Sequence, residues 1–175
     1  GRNCVNGPLN ATVLFVIDRG CSHELVRHRI ASFSQESTRY CNYGKAGVTF
    51  VRPCFWDKLS KPTLHGWYWV VDVRPNLSRS AWEDAMHDAE RRYLSLLDGG
   101  ATPEQARSVL PNSLKTEVVV TANMREWKPI FRLRTSARAH PQMREVMQPL
   151  QEEFKRRLPM IFDVDCLGRK YSETH

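Results

Sequence analysis

Arg27-His28-Arg29, then seven intervening residues, then Ser37 and Thr38-Arg39-Tyr40, gathers three guanidinium groups, an imidazole and several hydroxyls within fourteen residues. Arginine is suited to planar, bidentate recognition of phosphate and carboxylate. So dense a cluster repels itself unless an anion neutralises it, so the segment predicts an anionic ligand. An exposed basic helix end with ordinary caps is the plainer alternative, and the mixture of Arg, His and Ser in one stretch weighs against it. A second block, Ala106-Arg107-Ser108-Val109-Leu110-Pro111, places another arginine beside a proline stop. Sixteen residues after Arg107 comes Asn123-Met124-Arg125-Glu126-Trp127, an arginine beside a residue suited to capping a helix. A helix N-terminus itself favours anions.

The elements that must position these residues are legible in part. Thr12 to Asp18 reads as a buried strand. Gly20 is expected to break it, and Ser22 to cap a helix carrying Glu24 in its first turn and running to about Ala31 or Phe33. On that helix Leu25, Val26 and Ile30 form one apolar side. Arg27 and Arg29 then splay to different sides, suited to different ligands or subunits. Tyr40–Tyr43 and Val48–Val51 are expected as extended pieces around a Gly44–Gly47 turn. Residues 52–78 carry Pro53, Pro62, Gly66 and Pro75, and their run 67–71 suits either a strand or a buried helix.

Further on, Ser80 and Glu83 form a capping-box pattern. Trp82, Ala85, Met86, Ala89, Tyr93 and Leu97 recur at helical spacing, and Gly99-Gly100 ends that helix. Thr102-Pro103 starts a short helix that stops at Pro111. Lys115 to Thr121 is a strand, and Asn123 caps a helix to about Arg134 with Glu126 as its reciprocal partner. A last helix from near Pro141 buries Met143, Val146, Met147, Leu150 and Phe154, with His140 as its cap. Pro129 and Pro149 are expected to bend their helices. Helices and strands mix without βαβ alternation, which favours an α+β domain with an antiparallel sheet.

Composition sets the outer limits. The 175 residues suffice for one domain with a core, and 41% hydrophobic residues indicate a globular chain. Lys+Arg 26 against Asp+Glu 19 gives +7, suiting nucleotides, nucleic acid or lipid as partners. Cys4, Cys21, Cys41, Cys54 and Cys166 make no C-x-x-C pair, and the histidines have no ligand spacing, so no metal site is expected. No apolar run approaches the ~20 residues of a membrane span, and no signal-peptide pattern appears at the start. A soluble, cytoplasmic protein is expected, in a host cytoplasm if the source is viral. The tryptophans are expected in the core, with Trp67 and Trp69 the best candidates for a subunit contact. Lys155, Arg156 and Arg157 read as a solvated helix face.

Arg-His-Arg, seven residues, then Ser resembles the signature of the flavin-dependent thymidylate synthases. The resemblance extends through Ser32, Gln35, Arg39 and Tyr40. Ala106-Arg107-x-x-Leu110-Pro111, Asn123-x-Arg125, Leu133-Arg134 and Ala139-His140-Pro141-Gln142-Met143-Arg144 resemble later family blocks in order and spacing, from about residue 12 to residue 160. The resemblance implies a twisted, mostly antiparallel sheet with flanking helices, assembled as a homotetramer with active sites at subunit junctions. It implies FAD as cofactor, NADPH as reductant and methylenetetrahydrofolate as one-carbon donor in the methylation of dUMP to dTMP.

By the same resemblance Arg27, His28, Arg29, Asn123 and Arg125 contact FAD. Glu24, Gln35, Ser37, Arg39, Arg107 and Arg134 contact dUMP, and Arg134 is the catalytic residue, placed against the uracil ring. The family's one-carbon unit passes through the flavin, so no cysteine nucleophile is required. The chain departs from the family pattern at Ser34-Gln35, where Asn-Glu is frequent, and at Pro129. Asn10-Ala11 stands where the family has Glu-His. Members carry several dozen residues before the first strand, so residues 1–175 are expected to be one domain lacking its N-terminal segment. The competing classes are a basic nucleic-acid-binding module and a nucleotide-binding homologue without turnover.

Overall fold

The computed structural model describes residues 9–56, 63–65, 68–70 and 77–162. The elements are β1 (Asn10–Asp18), α1 (Arg19–Leu25), β2 (Ser32–Gln35), α2 (Tyr43–Ala46), β3 (Thr63–His65), β4 (Tyr68–Val70), α3 (Leu77–Asp98), α4 (Pro103–Ala106), β5 (Lys115–Asn123), α5 (Met124–Arg134), α6 (Pro141–Arg157) and α7 (Pro159–Phe162). A three-stranded antiparallel sheet has the order β1-β5-β2. A separate β3-β4 hairpin pairs Thr63 with Val70 and His65 with Tyr68. The α+β class is as expected. The strand alternative holds for 68–70, whereas Trp67, Pro62, Gly66 and Pro75 lie outside the described residues.

The chain divides into two compact units. The first comprises residues 1–14, 25–34 and 119–175; the second comprises 15–24 and 35–118. In the first, Thr12 and Thr121 hydroxyls meet at 2.8 Å, and the Met124 N–H donates to the Leu9 carbonyl at 3.1 Å. These two pairs set the antiparallel register there. The core is aromatic. Trp127 and Phe131 stack at 5.5 Å, and Phe154 and Phe162 meet Phe131 edge-on. Met143 and Met147 of α6 are buried with them, while Val146 and Leu150 are only half-buried. α5 and α6 run on through Pro129 and Pro149 as single helices. His140 holds the N-cap position of α6 without a side-chain capping bond.

In the second unit, the Arg19 N–H donates to the Leu114 carbonyl and that of Gly20 to Asn112, continuing the ladder past the end of β1. Phe15, Ile17, Cys21, Leu114 and Val118 form its interior together with Tyr93 of α3. The Tyr93 hydroxyl accepts from the Tyr43 N–H at 3.3 Å. α2 takes the place of the expected turn at 44–47: Asn42 accepts from the Gly44 N–H, and Gly47 ends it at φ 79°. α3 begins at Leu77, so Ser80 lies inside it rather than capping it. Gly100, at φ 88°, ends the α3 region as read from the sequence. Thr102 and Gln105 form the capping box of α4.

The motif at 27–39 differs most from expectation. Asp18, not Ser22, starts α1: its carboxylate accepts from the Cys21 N–H at 2.6 Å. Gly20 and Ser22 are therefore interior to the helix, and Glu24 falls in its last turn. α1 ends at Leu25, where the His28 N–H closes a turn onto the Leu25 carbonyl. Arg27, His28 and Arg29 are thus on a connection into β2 and not on a helix. The expected apolar side does not exist either: Leu25 is buried, whereas Val26 and Ile30 are exposed.

Candidate functional site

In the first unit, His28 organises the motif. Its imidazole is buried, while Arg27 and Arg29 on either side are exposed. Arg134 Nε donates to His28 Nε2 at 3.0 Å. Arginine has no acceptor, so His28 Nε2 must carry a lone pair and the ring must be neutral with its proton on Nδ1. Burial, and then the Arg134 charge, push the His28 pKa below its ordinary 6.5. The triplet therefore offers a ligand two charges, from Arg27 and Arg29, and His28 holds Arg134.

The sign of that shift sets a pH dependence. Because the folded-state pKa is depressed, the unfolded chain takes up the proton more readily. The stability this arrangement contributes is full above about pH 6.5 and is lost as pH falls below it. The melting temperature should fall between pH 7.5 and 5.5. His28→Gln, whose amide oxygen can accept from Arg134 without titrating, should show a weaker fall; an equal fall would refute the assignment.

At the start of α5, Asn123 Oδ1 accepts from the Glu126 N–H at 2.8 Å. Its side-chain N–H2 remains as a donor beside exposed Arg125, and among the described residues Glu126 does not complete the reciprocal bond. Arg125 and Arg134 are nine residues apart on one helix, a rise of ~14 Å. The predicted FAD set is therefore in two parts: Arg27 and Arg29 near the Arg134 end of α5, and Asn123 with Arg125 at the other end.

An anionic cofactor fits these residues. The cations of α6 show the contrast. Arg156 and Arg157 both donate to Glu153, which they hold down to about 2, and Lys155 pairs with Glu152. Among the described residues, Arg27, Arg29 and Arg125 have no such carboxylate. A pyrophosphate would supply the missing counter-charge, with the Asn123 amide as an added donor.

The second unit holds the other predicted set. The segment after β2 is a tight turn, in which the Tyr40 and Cys41 N–H groups both donate to the Ser37 carbonyl at 3.1 Å. Ser37 Oγ accepts from the Arg39 N–H at 3.4 Å, leaving its proton for another acceptor. The Arg39 guanidinium lies 5.2 Å from the centre of the exposed Tyr40 ring. Arg107 Nη1 donates to Thr38 Oγ1 at 3.1 Å, tying the short 3-10 turn Arg107–Val109 to this loop. Gln35 donates from Nε2 to Ser22 Oγ at 2.9 Å and to Thr116 Oγ1 at 3.2 Å. Gln35, Ser37, Arg39 and Arg107 are thus linked by one loop and its supports, while Glu24 lies half-buried at the end of α1.

Ser22, Thr38 and Thr116 support this set without being candidates from the sequence. Thr38 sits inside the motif and was open to discovery. Ser22 and Thr116 are far apart in sequence and no local pattern pairs them.

Neither Cys21 nor Cys41 has the lowered thiol pKa of an activated nucleophile. Burial, reinforced by Asp18, pushes the Cys21 thiol far up. Desolvation and the Glu36 carboxylate also raise Cys41. No helix among the described residues is long and apolar enough to cross a membrane.

Residues 8–160 match the thymidylate synthase complementing protein family. The chain is 36% identical over 154 residues to a flavin-dependent thymidylate synthase of Pyrococcus abyssi, covering 85% of this chain and 56% of that protein. It is 36% identical over 146 residues to those of Saccharolobus solfataricus and Geobacter sulfurreducens, covering 83% of this chain and 49% and 56% of theirs. The chain spans about half the length of the curated relatives it matches. With its Arg-His-Arg turn, its Arg107 block and its Asn123-capped helix all inside the matched span, this chain belongs to the thymidylate synthase complementing protein family.

Proposed function

We propose that the protein is a flavin-dependent thymidylate synthase that methylates dUMP to dTMP. FAD is its cofactor, NADPH the reductant and methylenetetrahydrofolate the one-carbon donor. The observation that carries this reading is the pairing of unneutralised arginines with a second, separate cradle of hydroxyls, amide and arginine. An anionic cofactor and an anionic nucleotide are two ligands, and the chain provides two basic sets.

Arg27, Arg29, Asn123 and Arg125 hold FAD, and the neutral His28 keeps Arg134 in place. Because the two parts of that set stand at opposite ends of α5, they serve either a long ligand or different subunits. A homotetramer with shared active sites accommodates both. Bound FAD would supply the hydride and the route for the one-carbon unit. Ser37, Arg39 and Arg107 bind the nucleotide phosphate, where charge-assisted bonds are strongest. Glu24 and Gln35 contact the rest of the nucleotide. Arg134 stabilises negative charge developing on the uracil carbonyl. Residues 1–175 act here as one flavin-dependent thymidylate synthase-like domain, in the cytoplasm.

The test is flavin retention. The purified protein should carry flavin absorbance bands, or take them up with added FAD, and lose them on anaerobic addition of NADPH. A colourless protein that takes up no FAD would contradict the proposal.

A further inference from the structure

Ser22 and Thr116 are fully buried hydroxyls in the second unit, and both face the Gln35 amide. A serine hydroxyl has one proton to donate. Ser22 gives it to the Arg19 carbonyl, one turn back in α1, at 2.9 Å. Its oxygen can therefore only accept from Gln35, which requires the amide nitrogen at that end. The second amide proton goes to Thr116 Oγ1. Both donors of Gln35 are thus occupied inside the protein. Among the described residues nothing donates to its Oε1.

We propose that Ser22 and Thr116 are positioning residues that hold the Gln35 amide nitrogen inward, so that position 35 offers the nucleotide a neutral carbonyl acceptor. This rests on the assignment of the second unit to nucleotide binding. The site then selects a ligand N–H or O–H donor, of which a deoxyuridine nucleotide has two: the imide N–H of the base and the 3′-hydroxyl of the sugar. A carboxylate at this position would set a lone pair against Ser22 Oγ. It would fit only if Ser22 released the Arg19 carbonyl or if the acid took up a proton, restoring a donor.

The experiment measures dUMP binding to the FAD-loaded protein by calorimetry, for wild type, Ser22→Ala, Thr116→Val and Gln35→Glu. Ser22→Ala and Thr116→Val should each weaken dUMP by about 10-fold with FAD affinity and kcat little changed. Gln35→Glu should bind more weakly than wild type at pH 8, with the gap closing as pH falls to 5.5. Gln35→Glu binding as tightly as wild type at every pH, or a gap independent of pH, would overturn the proposal. So would a folded Ser22→Ala variant with unaltered dUMP affinity.

N3-methyl-dUMP and 2′,3′-dideoxyuridine monophosphate identify the donor. Whichever analogue lacks it should lose affinity for wild type and be indifferent to Ser22→Ala. Equal sensitivity of dUMP and both analogues to Ser22→Ala would contradict acceptor selection. The side-chain amide signals of Gln35 in a 15N–1H spectrum read its orientation without ligand. They should be protected from exchange in wild type and lose that protection in Ser22→Ala. Protected amide signals in a wild type that binds no dUMP would place the failure in the nucleotide reading; unprotected signals would place it in the orientation.

Discussion

Arg134→Ala should lower kcat by about 10²–10³-fold while the protein still retains FAD. A fixed cation aimed at developing negative charge acts mainly in the transition state, so its loss appears in kcat. The bond from Arg134 Nε to His28 Nε2 adds a second consequence. Removing the guanidinium leaves a buried imidazole acceptor without this partner, which costs about 1–3 kcal/mol of stability. Turnover should therefore be assayed well below the melting transition. Arg134→Lys should not restore the rate, because a lysine cannot hold the imidazole with one face of a planar fork and present the other. Normal turnover after reconstitution, with FAD affinity lost instead, would place Arg134 in cofactor binding and not in the chemistry.

Arg107→Ala should raise the KM for dUMP by about 10–100-fold with kcat within a few-fold of wild type. Charge-assisted bonds to a phosphate far from the reacting carbon stabilise ground state and transition state alike, so their loss is uniform. The Arg107–Thr38 bond gives a graded comparison. Thr38→Val removes the hydroxyl that steadies the guanidinium but leaves the charge, so its effect on KM should be in the same direction and smaller. A fall in kcat at unchanged KM in Arg107→Ala would move this arginine to the reacting end of the nucleotide.

The sequence carries local information well and long-range pairing poorly, and the site depends on both. β5, the helix start at Thr102-Pro103 and the Asn123 cap were legible because each rests on neighbouring residues, whereas the Thr102–Gln105 box was not read from the sequence. The first helix misled because Asp18 and Ser22 both have capping side chains. Asp18 captures the Cys21 N–H, so the helix starts four residues early and ends before the arginines. Its early end follows from a tertiary contact, since His28 is turned inward to Arg134, 106 positions away. β2 is short, and its Ser-Phe-Ser-Gln alternation is masked by the helical reading of the residues before it. The proposal that Arg27, Arg29, Arg107 and Arg134 serve a ligand site rests on residue type, spacing and the family resemblance. The supporting side chains were not legible, because Thr38 meets Arg107, and Ser22 and Thr116 meet Gln35, only in the folded chain.

Thymidylate synthesis is tested by anaerobic product analysis with FAD, NADPH, dUMP and methylenetetrahydrofolate supplied together. The expected product is dTMP, formed only when all four are present, with consumption of NADPH coupled to the nucleotide product. A protein that binds single-stranded oligonucleotide, takes up no flavin and yields no dTMP under these conditions would contradict it.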